Sequence, residues 1–176
     1  MKKGLTHVYT GDGKGKTTAA LGLALRAAGC GYRAAIYQFC KREPAGELQA
    51  LKAVERVKVA RAACEVIKSA WEMTPEEKAQ WVEAQQSLFD EACEELCEGS
   101  ADLVVLDEIT GAVLGGAIDE KQLLYLVERK RRNVELVLTG RGASPALIAA
   151  ADYVTEMRAV RHPYERGIPS RRGIEY

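Results

Sequence analysis

An α/β fold of three layers, with a mostly parallel central sheet between two sets of helices, is what this sequence predicts. Two observations predict it. Apolar runs of strand length alternate with helical patterns along the 176 residues. The glycine-rich and acidic segments follow directly on those runs, at the carboxyl ends of strands, where parallel sheets bind ligands. The length suits one compact domain spanning residues 1–176.

The elements follow in order. Leu5 to Tyr9 is a short apolar run that reads as a buried strand. Thr17 to Ala28, rich in Ala and Leu, reads as a helix closed by Gly29. Ala34 to Phe39 is a second strand, followed by a short helix at Glu47 to Val54 and a strand near Val57 to Ala60. Thr74-Pro75-Glu76-Glu77 is a helix start, with Thr as the cap, Pro at the first position and Glu at the third. That helix should run to Glu98, burying Trp81, Leu88, Ala92 and Leu96. Its other face carries eight acids against the single base Lys78, which reads as a solvated surface. Leu103 to Leu106 is a buried strand, Asp119 to Arg132 a helix and Val134 to Leu138 a strand. Ser144-Pro145 opens a short helix to Ala151, and Tyr153 to Met157 closes the sheet.

Composition narrows the function classes. Apolar residues make up 47% and charged residues 28%, a mix that builds a core. The 25 bases balance the 25 acids, which speaks against a nucleic-acid or membrane coat. No apolar run approaches the roughly 20 residues of a membrane span. Met1 to His7 lacks the apolar stretch and cleavage site of a signal peptide, so the expected compartment is the cytoplasm. The five cysteines form no CxxC pair, and with only His7 and His162 beside them no zinc spacing can be assembled. Cys93 and Cys97 share a helix face and read as ordinary half-buried thiols.

The chemistry concentrates after the first strand, in Thr10-Gly11-Asp12-Gly13-Lys14-Gly15-Lys16-Thr17-Thr18. Glycines let such a loop aim several N–H groups inward at a positive helix end, making an anion nest. Lys16 can reach phosphate oxygens and the Thr17 hydroxyl can ligate Mg²⁺. The usual pattern has glycine where this chain has Thr10. The order of strand, loop and helix makes this a nucleoside triphosphate site. Asp107-Glu108, after four apolar residues, resembles a Walker B end, where one acid holds the Mg²⁺ shell and the other orients a water or ligand. One strand is expected between these two motifs, the RecA-like order of P-loop NTPases. Thr139-Gly140-Arg141-Gly142 places Arg141 at the same sheet edge, to meet a phosphate or carboxylate.

Together these residues resemble the P-loop corrinoid adenosyltransferases. Residues 10–20 look like that family's TGxGKGKTTAA, Gln38-Phe39 its QF signature, residues 103–108 its VVLDE strand, and residues 139–142 its TGRG. The segments His162 to Ile168 and Gly173 to Tyr176 are similar to its closing stretch.

The resemblance implies a reaction in which a corrinoid reduced to Co(I) attacks the 5′ carbon of ATP and expels triphosphate. The corrinoid would be cob(I)alamin or cobyrinic acid a,c-diamide, reduced by an electron donor such as a reduced flavoprotein. Mg²⁺ or Mn²⁺ would accompany ATP, which the family holds in a reversed sense. A homodimer is implied, with no nucleic acid and no membrane as partner. Lys16, Thr17, Glu108 and Arg141 would be catalytic, and Thr17, Asp107 and Glu108 would hold the cation. Gly11, Asp12, Gly13, Lys14, Gly15, Lys16, Thr17, Thr18 and Arg141 would line the nucleotide, and so, by family correspondence, would Arg26, Gln38, Glu156 and Arg158. Trp71 matches a corrin-side tryptophan that helps exclude the lower axial ligand. Two positions depart from the pattern, Ser69 for a phenylalanine and Gly111 for a tyrosine, both on the corrinoid side. The competing readings are a RecA-like ATPase acting on nucleic acid or protein and a small-molecule kinase. Products separate them: triphosphate from the transferase, ADP and phosphate from the ATPase, ADP and a phosphorylated acceptor from the kinase.

Overall fold

The computed structural model describes residues 3–40, 46–64 and 72–174. Ser69 and Trp71 lie outside the described residues. Among the described residues there are six strands, β1 (Thr6–Thr10), β2 (Ala34–Gln38), β3 (Val57–Arg61), β4 (Leu103–Asp107), β5 (Glu135–Thr139) and β6 (Tyr153–Glu156). They form one sheet in the order β3-β2-β4-β5-β1-β6, and every pairing is parallel. The expectation of a mostly parallel sheet is met in full. The expected intervening strand is β5, which lies between loop-bearing β1 and acid-bearing β4.

Alternation of side chains along each strand builds two cores. Tyr37, Phe39, Val104, Leu106, Leu136 and Leu138 face α3 (Pro75–Cys97) and its neighbours, among which Trp81, Leu88 and Leu96 are buried. Ile36, Leu103, Val105 and Val137 face the opposite way, onto Ala20, Leu21 and Ala24 of α1 (Lys16–Gly29). All five residues of β2 and of β4 are buried, as in a sheet covered on both faces. This parity sets up the site: Gln38, Asp107 and Thr139 continue the rows that face α1.

α3 carries the expected capping box between Thr74 and Glu77. Its acids divide by task. Glu76, Glu83, Asp90, Glu94 and Glu98 are exposed. Glu91 instead pairs with Lys58 at 2.8 Å, and Glu95 accepts a hydrogen bond from the Ala101 N–H at 2.7 Å. The C-terminal carbonyls of α3 are gathered by Arg131, whose guanidinium donates to the oxygens of Glu95 (3.2 Å), Leu96 (3.3 Å) and Ala101 (3.1 Å). A cation at the negative end of a helix, paired with orphan carbonyls, is doubly favoured. Arg131→Met is therefore expected to lower unfolding stability by about 1–3 kcal/mol, with the midpoint of a urea titration moving and its slope unchanged.

Cys93 and Cys97 lie on α3 as expected, but their surroundings differ. Burial pushes the Cys93 thiol up to about 12, with the Asp90 carboxylate adding to the effect, while Cys97 and Cys30 are exposed. A thiol this far above neutral pH stays protonated and unreactive. Iodoacetamide at pH 8 is expected to label Cys30 and Cys97 well before Cys93; equal labelling in a peptide map would contradict the packing.

Several local features differ from the sequence expectation, among them the short helix expected to reach Val54, which ends at Leu51. A helix α4 (Ile109–Leu114) follows Asp107-Glu108, and a 3₁₀ turn spans Pro163–Arg166. Helix α5 (Glu120–Arg129) stops three residues short of Arg132, because Lys130 turns extended and donates its ammonium to the carbonyls of Gly4 and Val134. The remaining helices among the described residues are α2 (Gly46–Leu51) and α6 (Pro145–Ala150). Among the described residues no helix is long and apolar enough to cross a membrane.

Candidate active site

The loop from β1 to α1 turns on two glycines in the left-handed region, Gly11 (φ 94°) and Gly15 (φ 115°). Glycine is also required here by space. The chain leaving β6 crosses the loop, and a Cβ on Gly13 would lie 2.7 Å from the Met157 carbonyl. In place of side chains the two segments share hydrogen bonds. Gly13 N–H donates to Met157 O at 2.7 Å, and Ala159 N–H donates to Asp12 Oδ1 at 3.3 Å. That N–H, with Asp12's own backbone N–H and the nearby Arg141 and Lys16, holds the Asp12 carboxyl below the ordinary range. Glu156 and Arg158 flank this crossing: Glu156 ends β6, and a Cβ on Gly11 would stand 3.1 Å from its Cγ.

Helices α3, α5 and α6 each begin with a side-chain cap from Thr74, Asp119 or Ser144. α1 has none; Gly15 precedes it, so its first-turn N–H groups face the loop cavity. This is the donor array that an anion needs. Lys16 is buried and folds back over the loop, its ammonium donating to Gly11 O at 2.7 Å and Gly13 O at 2.8 Å. The cation is thus held at the centre of the ring that would receive phosphate oxygens.

Next to it side chains from α1, β2 and β5 meet on Asp107 of β4, which is fully buried. Thr17 Oγ1 donates to Asp107 Oδ1 at 2.8 Å, and Thr139 Oγ1 donates to the same oxygen at 2.7 Å. Gln38, paired with Asp107 in register, donates its Nε2 to Oδ2 at 3.2 Å. The Thr139 hydroxyl in turn accepts the Glu108 N–H at 2.9 Å. A threonine hydroxyl and a carboxylate side by side are hard oxygen donors, and Mg²⁺ is commonly held by one or two such groups together with substrate phosphates. The residues fit that ion.

Glu108 adopts φ 61° and ψ 27°, a left-handed conformation costly for a residue with a side chain. Strain of that kind clusters at functional sites. α4 then runs directly behind the β5 exit. Thr110 Oγ1 donates to Arg141 O at 2.7 Å, and any Cβ on Gly140 would collide with the Thr110 hydroxyl. Arg141 is fixed at its backbone and exposed at its guanidinium.

These residues line one cleft of about 930 Å³: Asp12, Gly13, Lys14, Gly15, Lys16, Thr17 and Thr18 on one side, Glu108 and Arg141 on another. Two parts of the wall were not anticipated. Glu47 of α2 contributes, and so does the C-terminal segment through His162, Gly173 and Ile174. Thr139 is a further residue that sequence reasoning passed over, although it ends β5 just as Asp107 ends β4. Gln38 sits behind Asp107; neither of them lines the cleft, and nor do Gly11, Glu156, Arg158 or Arg26, which is exposed on α1.

Gly111 departs from the expected tyrosine, and the structure gives this a local consequence. A Cβ there would stand 3.2 Å from Cγ and Oε1 of Glu108. Gly111→Ala is expected to stabilise α4 by about 0.5–1 kcal/mol, since glycine is a poor helix residue. It should also turn the Glu108 carboxylate away and lower turnover about 10-fold, roughly one supporting interaction in the transition state. A rise in melting temperature with full activity would mean that the Glu108 position is immaterial.

A glycine-rich nest before an uncapped helix, a buried lysine in it, and a threonine–aspartate pair across one intervening strand define a P-loop nucleotide-binding protein of RecA-like order. The fold likeness agrees. A KaiC-like protein from Pyrococcus horikoshii superposes with a TM-score of 0.54 at 17% identity, over 89% of this chain and 73% of that one. Sequence comparison reaches further. The family ATP:corrinoid adenosyltransferase BtuR/CobO/CobP matches residues 2–176. The corrinoid adenosyltransferase of Pseudomonas aeruginosa is 30% identical over 176 residues, covering 99% of this chain and 85% of that protein. That of a Sinorhizobium species is 33% identical over 179 residues, covering 99% and 81%. The corrinoid adenosyltransferase CobA of Salmonella typhimurium is 30% identical over 178 residues, covering 99% and 87%. The chain belongs to the ATP:corrinoid adenosyltransferase family. It is an enzyme that transfers the adenosyl group of ATP to a corrinoid, and the ATPase and kinase readings are not favoured.

Proposed function

We propose that the cleft grips the triphosphate of ATP while the ribose 5′ carbon is presented to a corrinoid reduced to Co(I). The observation that carries this reading is one cleft lined by Lys16, Thr17 and Arg141, with Asp107 hydrogen-bonded to Thr17 behind the wall. Cobalt supplies both electrons of the new Co–C bond, the C5′–O bond breaks, and triphosphate leaves with the bonding pair. Cobalt is then formally Co(III), and the protein need provide no nucleophile. Its work is alignment and stabilisation of charge on the leaving group.

The loop amides, Lys16 and Arg141 supply that stabilisation. Asp12, Lys14 and Thr18 complete the loop wall, and the backbone of Met157 and Ala159 holds the loop from the β6 side. Glu156 and Arg158 join the nucleotide contacts on grounds of family resemblance. Mg²⁺ or Mn²⁺, held by Thr17 and Asp107 with Glu108 at its water shell, would neutralise the triphosphate. Thr139 orients Asp107. Arg26 and Trp71 complete the substrate contacts on grounds of family resemblance, as does the reversed sense of ATP. The same resemblance supports a one-domain protein, homodimeric and cytoplasmic, acting on cob(I)alamin or cobyrinic acid a,c-diamide with an electron donor such as a reduced flavoprotein.

Direct attack by cobalt inverts the 5′ carbon. ATP stereoselectively deuterated at C5′ should therefore give an adenosyl product of inverted configuration, read by proton NMR. Retention would mean a covalent adenosyl–enzyme step and would overturn the assigned roles.

A further inference from the structure

The side chain of Gln38 is buried completely, and its carbonyl oxygen has no hydrogen-bond partner among the described residues. Its amide orientation is not arbitrary. Nε2 faces Asp107 Oδ2 at 3.2 Å, and a flipped amide would set one oxygen acceptor against another. Oε1 is therefore left as an acceptor, on the α1 face of the sheet and at the edge where the phosphate loop ends. A buried acceptor without a donor is unfavourable and calls for one. Among the described residues the other such atom, the Tyr37 hydroxyl, lies on the opposite face against α3 and Lys58.

We propose that Gln38 is a positioning residue of the nucleotide–cation site: its amide N–H holds Asp107, and its carbonyl oxygen accepts from a water in the cation's shell. This rests on the reading that Thr17 and Asp107 hold a divalent cation beside ATP. Water bound to a divalent cation is a stronger donor than bulk water, which matches an acceptor that the protein itself leaves unpaired. The two ends of one amide then fix the carboxylate and the water together. Outer groups of this kind set the orientation of the inner ones. The strand register explains why this residue can do so, since Gln38 and Asp107 are direct partners on β2 and β4.

Mn²⁺ serves as the probe. Its affinity is measured by electron paramagnetic resonance with ATP present and protein in excess, for the wild type, Gln38→Met and Gln38→Asn. Both variants are expected to bind Mn²⁺ about 10-fold more weakly, the usual effect of removing an outer-shell partner, while ATP affinity in EDTA and the melting temperature stay near wild type. A purely structural glutamine would move the melting temperature and leave Mn²⁺ affinity alone, which would overturn the proposal. Failure of the wild type to hold Mn²⁺ with ATP would overturn the cation reading as well, so the two failures are distinguishable. Should either variant not fold, a crystal structure of the wild type with Mg²⁺ and ATP decides. A cation-bound water within about 3 Å of Gln38 Oε1 is expected, and its absence contradicts the inference.

Discussion

Lys16→Ala is expected to lower turnover by about 10²- to 10³-fold or more, the range seen when one preorganised charge-stabilising donor is removed. The reason is position. Lys16 is already buried inside the loop, and its ammonium is held by the carbonyls of Gly11 and Gly13. Those two carbonyls hold the cation in place before any phosphate arrives. The loss should fall mainly on kcat, because charge on the bridging oxygen grows as the C5′–O bond breaks. Stability should change less than turnover does, since the truncation removes two hydrogen bonds made within one loop. Single-turnover kinetics by stopped flow check this, and a near-wild-type rate would remove the loop from the chemistry.

Asp107→Asn carries the second largest effect, an expected fall of more than about 100-fold in kcat. The substitution keeps the shape and removes the charge. Thr17 and Thr139 can still donate to Oδ1, but the new amide would face the Gln38 N–H with hydrogens of its own. Cation binding should weaken together with turnover. Activity measured across a Mn²⁺ series should shift to higher concentration in the variant, partly recovering at saturation. An unchanged Mn²⁺ dependence would mean that Asp107 supports the fold alone.

Much of this site was legible in the sequence because its parts are local. A glycine-rich loop between a strand and a helix needs only neighbouring residues to be recognised, and the acid pair closing β4 is marked by the apolar run before it. Of the strand order, the one strand between those two motifs was expected, and β5 fills that place. What escaped was set by distance in the chain. Thr139 joins Asp107 across 32 positions, and its role depends on both strands ending at the same height on the same face. The wall formed by His162, Gly173 and Ile174 depends on how the chain leaves β6 over Gly11 and Gly13. α4 escaped for a different reason. Its six residues include Gly111, it is followed by Gly115 and Gly116, and its start rests on the left-handed Glu108. Its packing against the β5 exit outweighs weak local propensity. Parity along the strands could have found Thr139, since residues 38, 107 and 139 all end rows facing α1.

An anaerobic reaction of the protein with ATP, Mg²⁺ and chemically reduced cob(I)alamin decides whether this cleft delivers an adenosyl group. The corrin absorption spectrum is followed and the phosphorus products are identified by ³¹P NMR. Conversion of the Co(I) spectrum to that of the adenosylated corrinoid is expected, with one intact triphosphate released per corrinoid consumed. A static spectrum with ADP and phosphate accumulating would contradict it, and would mean that this cleft hydrolyses ATP instead of delivering its adenosyl group.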